Sequence, residues 1–234
     1  MITLGLLGGM SWESTASYYA WINRYAAARL GGLHSARLLL YSLDFADIEA
    51  MQSEGRWAEA ADLLADGARR LERAGAGLLV LCTNTMHAVF DELEAAVQAP
   101  WLHIADATAR EIAARGIPRV GLLGTRYTME GGFYRSRLER HGVESVVPAA
   151  ADRELVHRVI YDELCLGRIE PASRAAYRRI VARLASSGCE AVVLGCTEIG
   201  LLLGEGDAPV PLLDTARIHA ETAAAIALGL ADPP

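Results

Sequence analysis

Short apolar runs alternate along this chain with stretches whose apolar residues recur at helical spacing. Residues 2–7, 36–41, 77–81 and 101–104 read as buried strands. A helix is expected from Ser11 or Ser14 to about Leu30, with Gly31-Gly32 as its stop, and a short one around residues 47–53. Trp57, Ala61, Leu64, Ala68 and Leu71 fall on one face of a further helix that Gly75 closes. Helices over residues 85–97 and 106–115 complete this half. The pattern then restarts. Strands are expected at residues 120–125, 143–147, 191–194 and 210–215, with helices over 129–141, 154–164, 173–187 and from 215 to about 228.

Three landmarks recur in the same order. Gly5-Leu6-Leu7-Gly8-Gly9 returns as Gly121-Leu122-Leu123-Gly124-Thr125, 116 positions on. Val80-Leu81-Cys82-Thr83-Asn84-Thr85 lies over Val193-Leu194-Gly195-Cys196-Thr197-Glu198, 113 positions on. Asp106 is matched with Asp214, 108 positions on. Strands alternating with helices imply βαβ units and parallel sheets. The expected fold is α/β: two similar lobes, each a parallel sheet flanked by helices, related by a pseudo-twofold axis with the active site in the cleft between them. The expected boundaries are residues 1–103 and 104–214, with the helix in 215–234 packing back on the first lobe.

Composition narrows the chemistry. The 234 residues are 52% hydrophobic but only 6% aromatic, so the core is aliphatic. A formal net charge of −7 without a basic cluster disfavours nucleic acid as a partner. The absence of an apolar run of about 18–20 residues argues against a membrane span. The start of the chain lacks a basic n-region and a cleavage site, so a cytoplasmic protein with reduced thiols is expected. Its four cysteines, Cys82, Cys165, Cys189 and Cys196, have neither metal-ligand nor disulfide-framework spacing, and no metal is expected. All 22 basic residues are arginine. Without lysine there is no Schiff base for pyridoxal phosphate and no P-loop lysine.

Candidate chemistry gathers where the apolar runs at 77–81 and 191–194 end. Ligands bind open α/β sheets at the carboxyl ends of the strands. Laid over each other, the halves pair Thr83 with Cys196 and Cys82 with Gly195. Cys196 is a plausible base for a carbon acid, its thiol expected to be lowered by a helix N-terminus. Thr83, whose hydroxyl titrates far higher, is better at donating a proton. Plainer readings stand beside these. Thr83 is also a natural cap or turn residue, and Cys82 is its direct rival while fitting strand packing. Asn84 and Thr85 suit helix capping, and Glu198 suits capping or orientation. Alone, Met10 reads as core, Gln52 as a solvated surface amide and His87 as a packing histidine.

At these residues the chain resembles the aspartate/glutamate racemase family, over nearly its whole length. The resemblance rests on Gly5 to Thr15, on Asn84-Thr85-Met86-His87, on Gly124-Thr125 with Tyr127-Thr128-Met129-Glu130, and most specifically on Gly195-Cys196-Thr197-Glu198. Such racemases carry Cys-Asn-Thr-x-His in the first half. Registering on Asn84-Thr85-x-His87 puts Thr83 at the first catalytic position, as in the L-aspartate/L-glutamate-specific members. The resemblance implies cofactor-independent racemisation of an amino acid, with Thr83 and Cys196 moving the Cα proton. It also implies that Met10, Gln52, Asn84, Thr85, Thr125, Thr197 and Glu198 contact substrate. Dimers are common among such folds, so a homodimer is the assembly the resemblance allows. Many relatives hold a substrate carboxylate with a basic residue at the place Cys165 takes here, and Arg168 is the available substitute. Hydantoin racemases and maleate isomerases share the fold family, and an amino-acid-binding module without turnover is the non-enzymatic rival.

Overall fold

The computed structural model describes the backbone of residues 1–234 and every side chain except that of Glu205. Contacts divide the chain into two compact units, residues 1–103 with 219–234, and residues 104–218. None of the helices among the described residues is long and apolar enough to cross a membrane.

The first unit runs β1 (Leu4–Gly8), α1 (Trp12–Leu30), β2 (Leu38–Ser42), α2 (Phe45–Ser53), α3 (Trp57–Arg73), β3 (Leu78–Leu81), a 3₁₀ turn (Thr85–Val89), α4 (Phe90–Ala95) and β4 (Trp101–Leu102). Its strands are all parallel in the order β2-β1-β3-β4. The second unit follows with α5 (Ile104–Ala114), β5 (Arg119–Gly124), α6 (Arg126–Glu130), α7 (Gly132–Arg140), β6 (Glu144–Val146), α8 (Ala150–Asp162), a 3₁₀ turn (Leu164–Leu166), α9 (Pro171–Ser186), β7 (Ala191–Gly195), α10 (Ile199–Leu202), a 3₁₀ turn (Glu205–Asp207), β8 (Leu212–Asp214) and the start of α11 (Thr215–Ala227). Its sheet repeats the parallel plan as β6-β5-β7-β8. The fold is α/β, with two four-stranded parallel sheets flanked by helices.

The physics of the two sheets explains the apolar pattern. Inner strands β1, β3 and β7 are buried along their whole length. A parallel strand covered on both faces carries apolar residues without alternation. Edge strands β2 and β6 are half-buried or exposed. Ser11 caps α1 by accepting from the Ser14 amide, Asp44 caps α2 from the Ala46 amide, and Pro171 opens α9. Gly9 sits at φ 93° directly against the Leu43 backbone, a turn that a side chain would obstruct twice over.

The repeat is visible in the packing. A Cβ on Gly5 would meet Ala76 Cβ at 2.7 Å, in the connection between α3 and β3, and Leu71 Cβ of α3 at 3.3 Å. One on Gly121 would meet Leu184 Cδ1 at 2.8 Å and Cβ at 3.2 Å, on α9. Both inner strands therefore use a glycine where the segment leading into the next strand packs closest. Strand register sharpens the overlay. Leu7 pairs with Leu81, as Leu123 pairs with Leu194. Thr83 and Cys196 each come two residues later, so they occupy equivalent positions, and Cys82 lies over Gly195.

Several local expectations need correction. Asp106 is not the equivalent of Asp214. Leu79 pairs with Trp101 and Val192 with Leu212, so Trp101 lies over Leu212 and His103 over Asp214. Asp106 instead sits in the first turn of α5, 2.6 Å from Arg137, while Asp214 accepts from the Ala216 and Arg217 amides to start α11. The strand expected at 101–104 ends at Leu102, because Ile104 already begins α5. The helix expected over 85–97 is a 3₁₀ turn and then α4; the His87 amide bonds the Asn84 carbonyl, three residues back. Gly131 takes an extended conformation, φ −69° and ψ 138°, and splits the helix expected over 129–141 into α6 and α7.

Candidate functional site

In the first unit the candidates collect at the carboxyl ends of β1 and β3. Met10 follows β1 and is buried in the core that includes Met86 and Leu81. Thr83, Asn84 and Thr85 follow β3 and are nearly covered. Gln52 reaches the same segment from α2. It is 4% exposed and its amide Nε2 donates to Met86 Sδ at 2.9 Å. The expectation of a solvated surface amide is therefore overturned, because α2 turns this side chain inward. The Asn84 side chain makes no capping bond to the turn it precedes.

Thr83 is held by its backbone. Its amide donates to the Leu81 carbonyl at 2.9 Å, and its carbonyl accepts from His87 Nδ1 at 2.8 Å. A carbonyl can only accept, so Nδ1 carries the proton of this bond. His87 stacks on Phe90 at 5.4 Å and meets His103 edge-on at 4.4 Å. The rival thiol is elsewhere in character. Cys82 is fully buried, its sulfur lies 3.8 Å from the Val80 carbonyl, and burial pushes its thiol far above the ordinary range.

In the second unit Thr125 follows β5 and Cys196 follows β7, adjacent strands whose last residues, Gly124 and Gly195, pair. Thr125 caps α6 by accepting from the Thr128 amide at 3.3 Å. Cys196 Sγ donates to Glu198 Oε2 at 2.9 Å, and Thr197 Oγ1 donates to the same oxygen at 2.7 Å. The thiol is not lowered as the sequence suggested. Burial raises it most, followed by the Glu198 carboxylate and the Cys165 thiol. The expected helix N-terminus is not at hand, since α10 begins three residues later and is four residues long. In its resting form Cys196 is a thiol whose proton already points at a carboxylate.

Two neighbourhoods escaped the sequence reading. His219 is fully buried, bonded at Nδ1 to the Tyr18 hydroxyl and at Nε2 to the Leu102 carbonyl, both 2.9 Å. Nε2 must be the donor here, so Tyr18 donates to Nδ1. Tyr177 of α9 is buried near Cys196, Cys165 and Glu163, all of which add to the rise burial gives its phenol. Its hydroxyl donates to the Val156 carbonyl at 2.9 Å. Tyr177 belongs to the buried face of α9 with Ile180, Val181 and Leu184, and that spacing was the only signal available for it. No group of three or more His, Cys, Asp or Glu among the described residues is arranged to hold a metal ion.

Two parallel α/β units with polar groups collected at their carboxyl strand ends define a small-molecule-binding class of fold. Residues 7–223 match the profile of the Asp/Glu/Hydantoin racemase family, and the chain belongs to that family. It is 56% identical to the crystal structure of a candidate Asp/Glu racemase from Yersinia pestis, with a TM-score of 0.91, covering 97% of this chain and 100% of that one. It is 36% identical to an aspartate racemase homologue from Pyrococcus horikoshii, with a TM-score of 0.84 over 97% and 100% of the two chains. A broad specificity amino-acid racemase from Bacillus subtilis is 24% identical over 94% of this chain and 95% of its own length.

Proposed function

We propose that this chain racemises L-aspartate or L-glutamate without pyridoxal phosphate, moving the Cα proton with Cys196 on one face and Thr83 on the other. The observation that supports this most is the shared strand register of Thr83 and Cys196, together with the Cys196–Glu198 hydrogen bond. As base, Cys196 must first lose its proton. Glu198 Oε2, 2.9 Å away, is the acceptor that lets sulfur take hydrogen from Cα. The bonds on the Thr83 amide and carbonyl fix its backbone, and its hydroxyl serves the return step, while a threonine makes a poor base. The reaction is therefore lopsided: abstraction is efficient only from the enantiomer whose Cα–H faces Cys196. The absence of lysine from the chain supports a mechanism without a Schiff base.

Exchange of the α-proton in deuterated water, started separately from L- and D-aspartate, tests the reading. Fast exchange from one enantiomer and slow exchange from the other is expected, and a Cys196→Ala variant should lose exchange while keeping affinity. Equal initial rates from both enantiomers would refute the asymmetry. Retained affinity without any exchange in the parent protein would favour a binding module.

A wider substrate range is the second reading. It is favoured by the likeness to the Bacillus subtilis racemase and by Cys165, an uncharged residue at the place where the family resemblance implies a cation for a substrate carboxylate. Exchange across a panel of neutral and acidic amino acids separates the two, since the narrow reading requires the acidic ones to dominate.

A further inference from the structure

The racemisation scheme uses one thiol of the second unit and leaves another beside it. Cys165 lies in the 3₁₀ turn Leu164–Leu166, between α8 and α9. That turn approaches α10, which begins three residues after Cys196. Cys165 packs against the apolar cluster to which Cys196, Tyr177, Ile199 and Leu164 belong. After burial and the Glu198 carboxylate, Cys165 is the next group that raises the Cys196 thiol, which puts the two sulfurs in one electrostatic neighbourhood. Their exposure differs: Cys196 is 7% exposed, whereas Cys165 is only partly covered. Both are reduced in this structure.

We infer that Cys165 and Cys196 form a peroxide-driven disulfide that reversibly blocks the site. Cys165 meets oxidant first, being the more exposed. Its sulfur attacks hydrogen peroxide, the O–O bond breaks, and Cys165 sulfenic acid and one water result. Cys196 sulfur then attacks the Cys165 sulfur, an S–S bond forms, and hydroxide leaves. The Cys196 proton passes to Glu198 Oε2 and on to that hydroxide as a second water. Two thiols and one peroxide thus give one disulfide and two waters. The Gly167 residue that ends the turn, at φ 70°, and the four-residue α10 leave short segments on both sides to adjust as the sulfurs meet. The inference concerns thiol chemistry alone and does not depend on which amino acid is the substrate.

The test treats the full chain with hydrogen peroxide and maps its peptides without reduction. The expected result is loss of two of the four thiols, with the peptides containing Cys165 and Cys196 linked to each other. Exchange activity should fall in step and return fully with dithiothreitol. A Cys165→Ser variant should still lose its own activity to peroxide, but dithiothreitol should not restore it, because the Cys196 sulfur then oxidises onward. Oxidation of Cys196 to sulfinic acid with no linked peptide in the parent protein would overturn the inference. So would a linkage through Cys82 or Cys189, or equal recovery of parent and variant. Failure of the racemase reading would remove the activity readout and leave the peptide result standing.

Discussion

Acid should weaken this protein through His219, in a window set by one buried ring. The ring is fully covered, and burial lowers its pKa from 6.5 to about 4 while the Leu102 carbonyl partly opposes the shift. The groups around it are the Tyr18 hydroxyl, the Leu102 carbonyl and the His87 ring, 6.0 Å away. In the unfolded chain the same imidazole takes a proton near its ordinary value. Between the two values the unfolded state binds more protons, so stability falls as pH falls. It is complete above about pH 6.5 and declines down to about pH 4. The loss is about 2 kcal/mol at pH 5 and about 3 kcal/mol below pH 4, from the shift alone. Urea unfolding at a series of pH values should show this slope. A His219→Gln variant, which keeps a donor for the Leu102 carbonyl but cannot titrate, should start less stable at pH 7 and lose stability more slowly on acidification. Parallel curves for the two proteins between pH 7 and pH 5 would refute the reasoning.

Glu198→Gln removes a like charge and a proton acceptor at once, with opposite consequences. Alkylation of Cys196 by iodoacetamide at neutral pH should speed up, while α-proton exchange should fall by about 10²-fold or more. Thr83→Val keeps the shape and removes the hydroxyl, so deuterium should stop entering or leaving on one face of Cα, which NMR of the recovered amino acid detects. Cys82→Ala should leave exchange near the parent rate and cost about 1–2 kcal/mol in denaturant unfolding, since it hollows a fully buried position. Gly5→Ala and Gly121→Ala should each cost about 1–3 kcal/mol by calorimetry, because the added methyl would sit under 3 Å from Ala76 and Leu79 in the first case and from Leu184 of α9 in the second.

The α/β plan was legible because both sheets are parallel and covered, which turns each inner strand into an unbroken apolar run. The internal repeat was legible for a related reason. Gly5 and Gly121 are fixed by close packing, and the strand ends after Leu81 and Leu194 by the need for polar groups there. The Asp106–Asp214 match failed because two aspartates with different jobs, an ion pair with Arg137 and a helix start, look alike in a list of letters. The residue pattern alone left Gln52 on the surface, and only the family resemblance singled it out, because α2 is short and its inward face does not announce itself by periodicity. The state of the Cys196 thiol was illegible altogether. It depends on burial, on the bend that brings Glu198 round, and on a second thiol 31 positions earlier in the chain. None of these is a local property of the sequence.

The second unit is one uninterrupted stretch, residues 104–218, while the first is made of two pieces. On a ribosome the difference becomes one of timing. Every residue of the second unit, 104–218, has been made before the second piece of the first unit begins. Residues 1–103, made earlier, must wait. The Ile2 amide has no carbonyl to meet until Ala227 arrives, and Tyr18 and the Leu102 carbonyl have no imidazole until His219 does. The half synthesised first is therefore the half completed last: a stop before His219 would leave its Tyr18 hydroxyl and Leu102 carbonyl without the imidazole, and a stop between His219 and Ala227 would leave the Ile2 amide without its carbonyl.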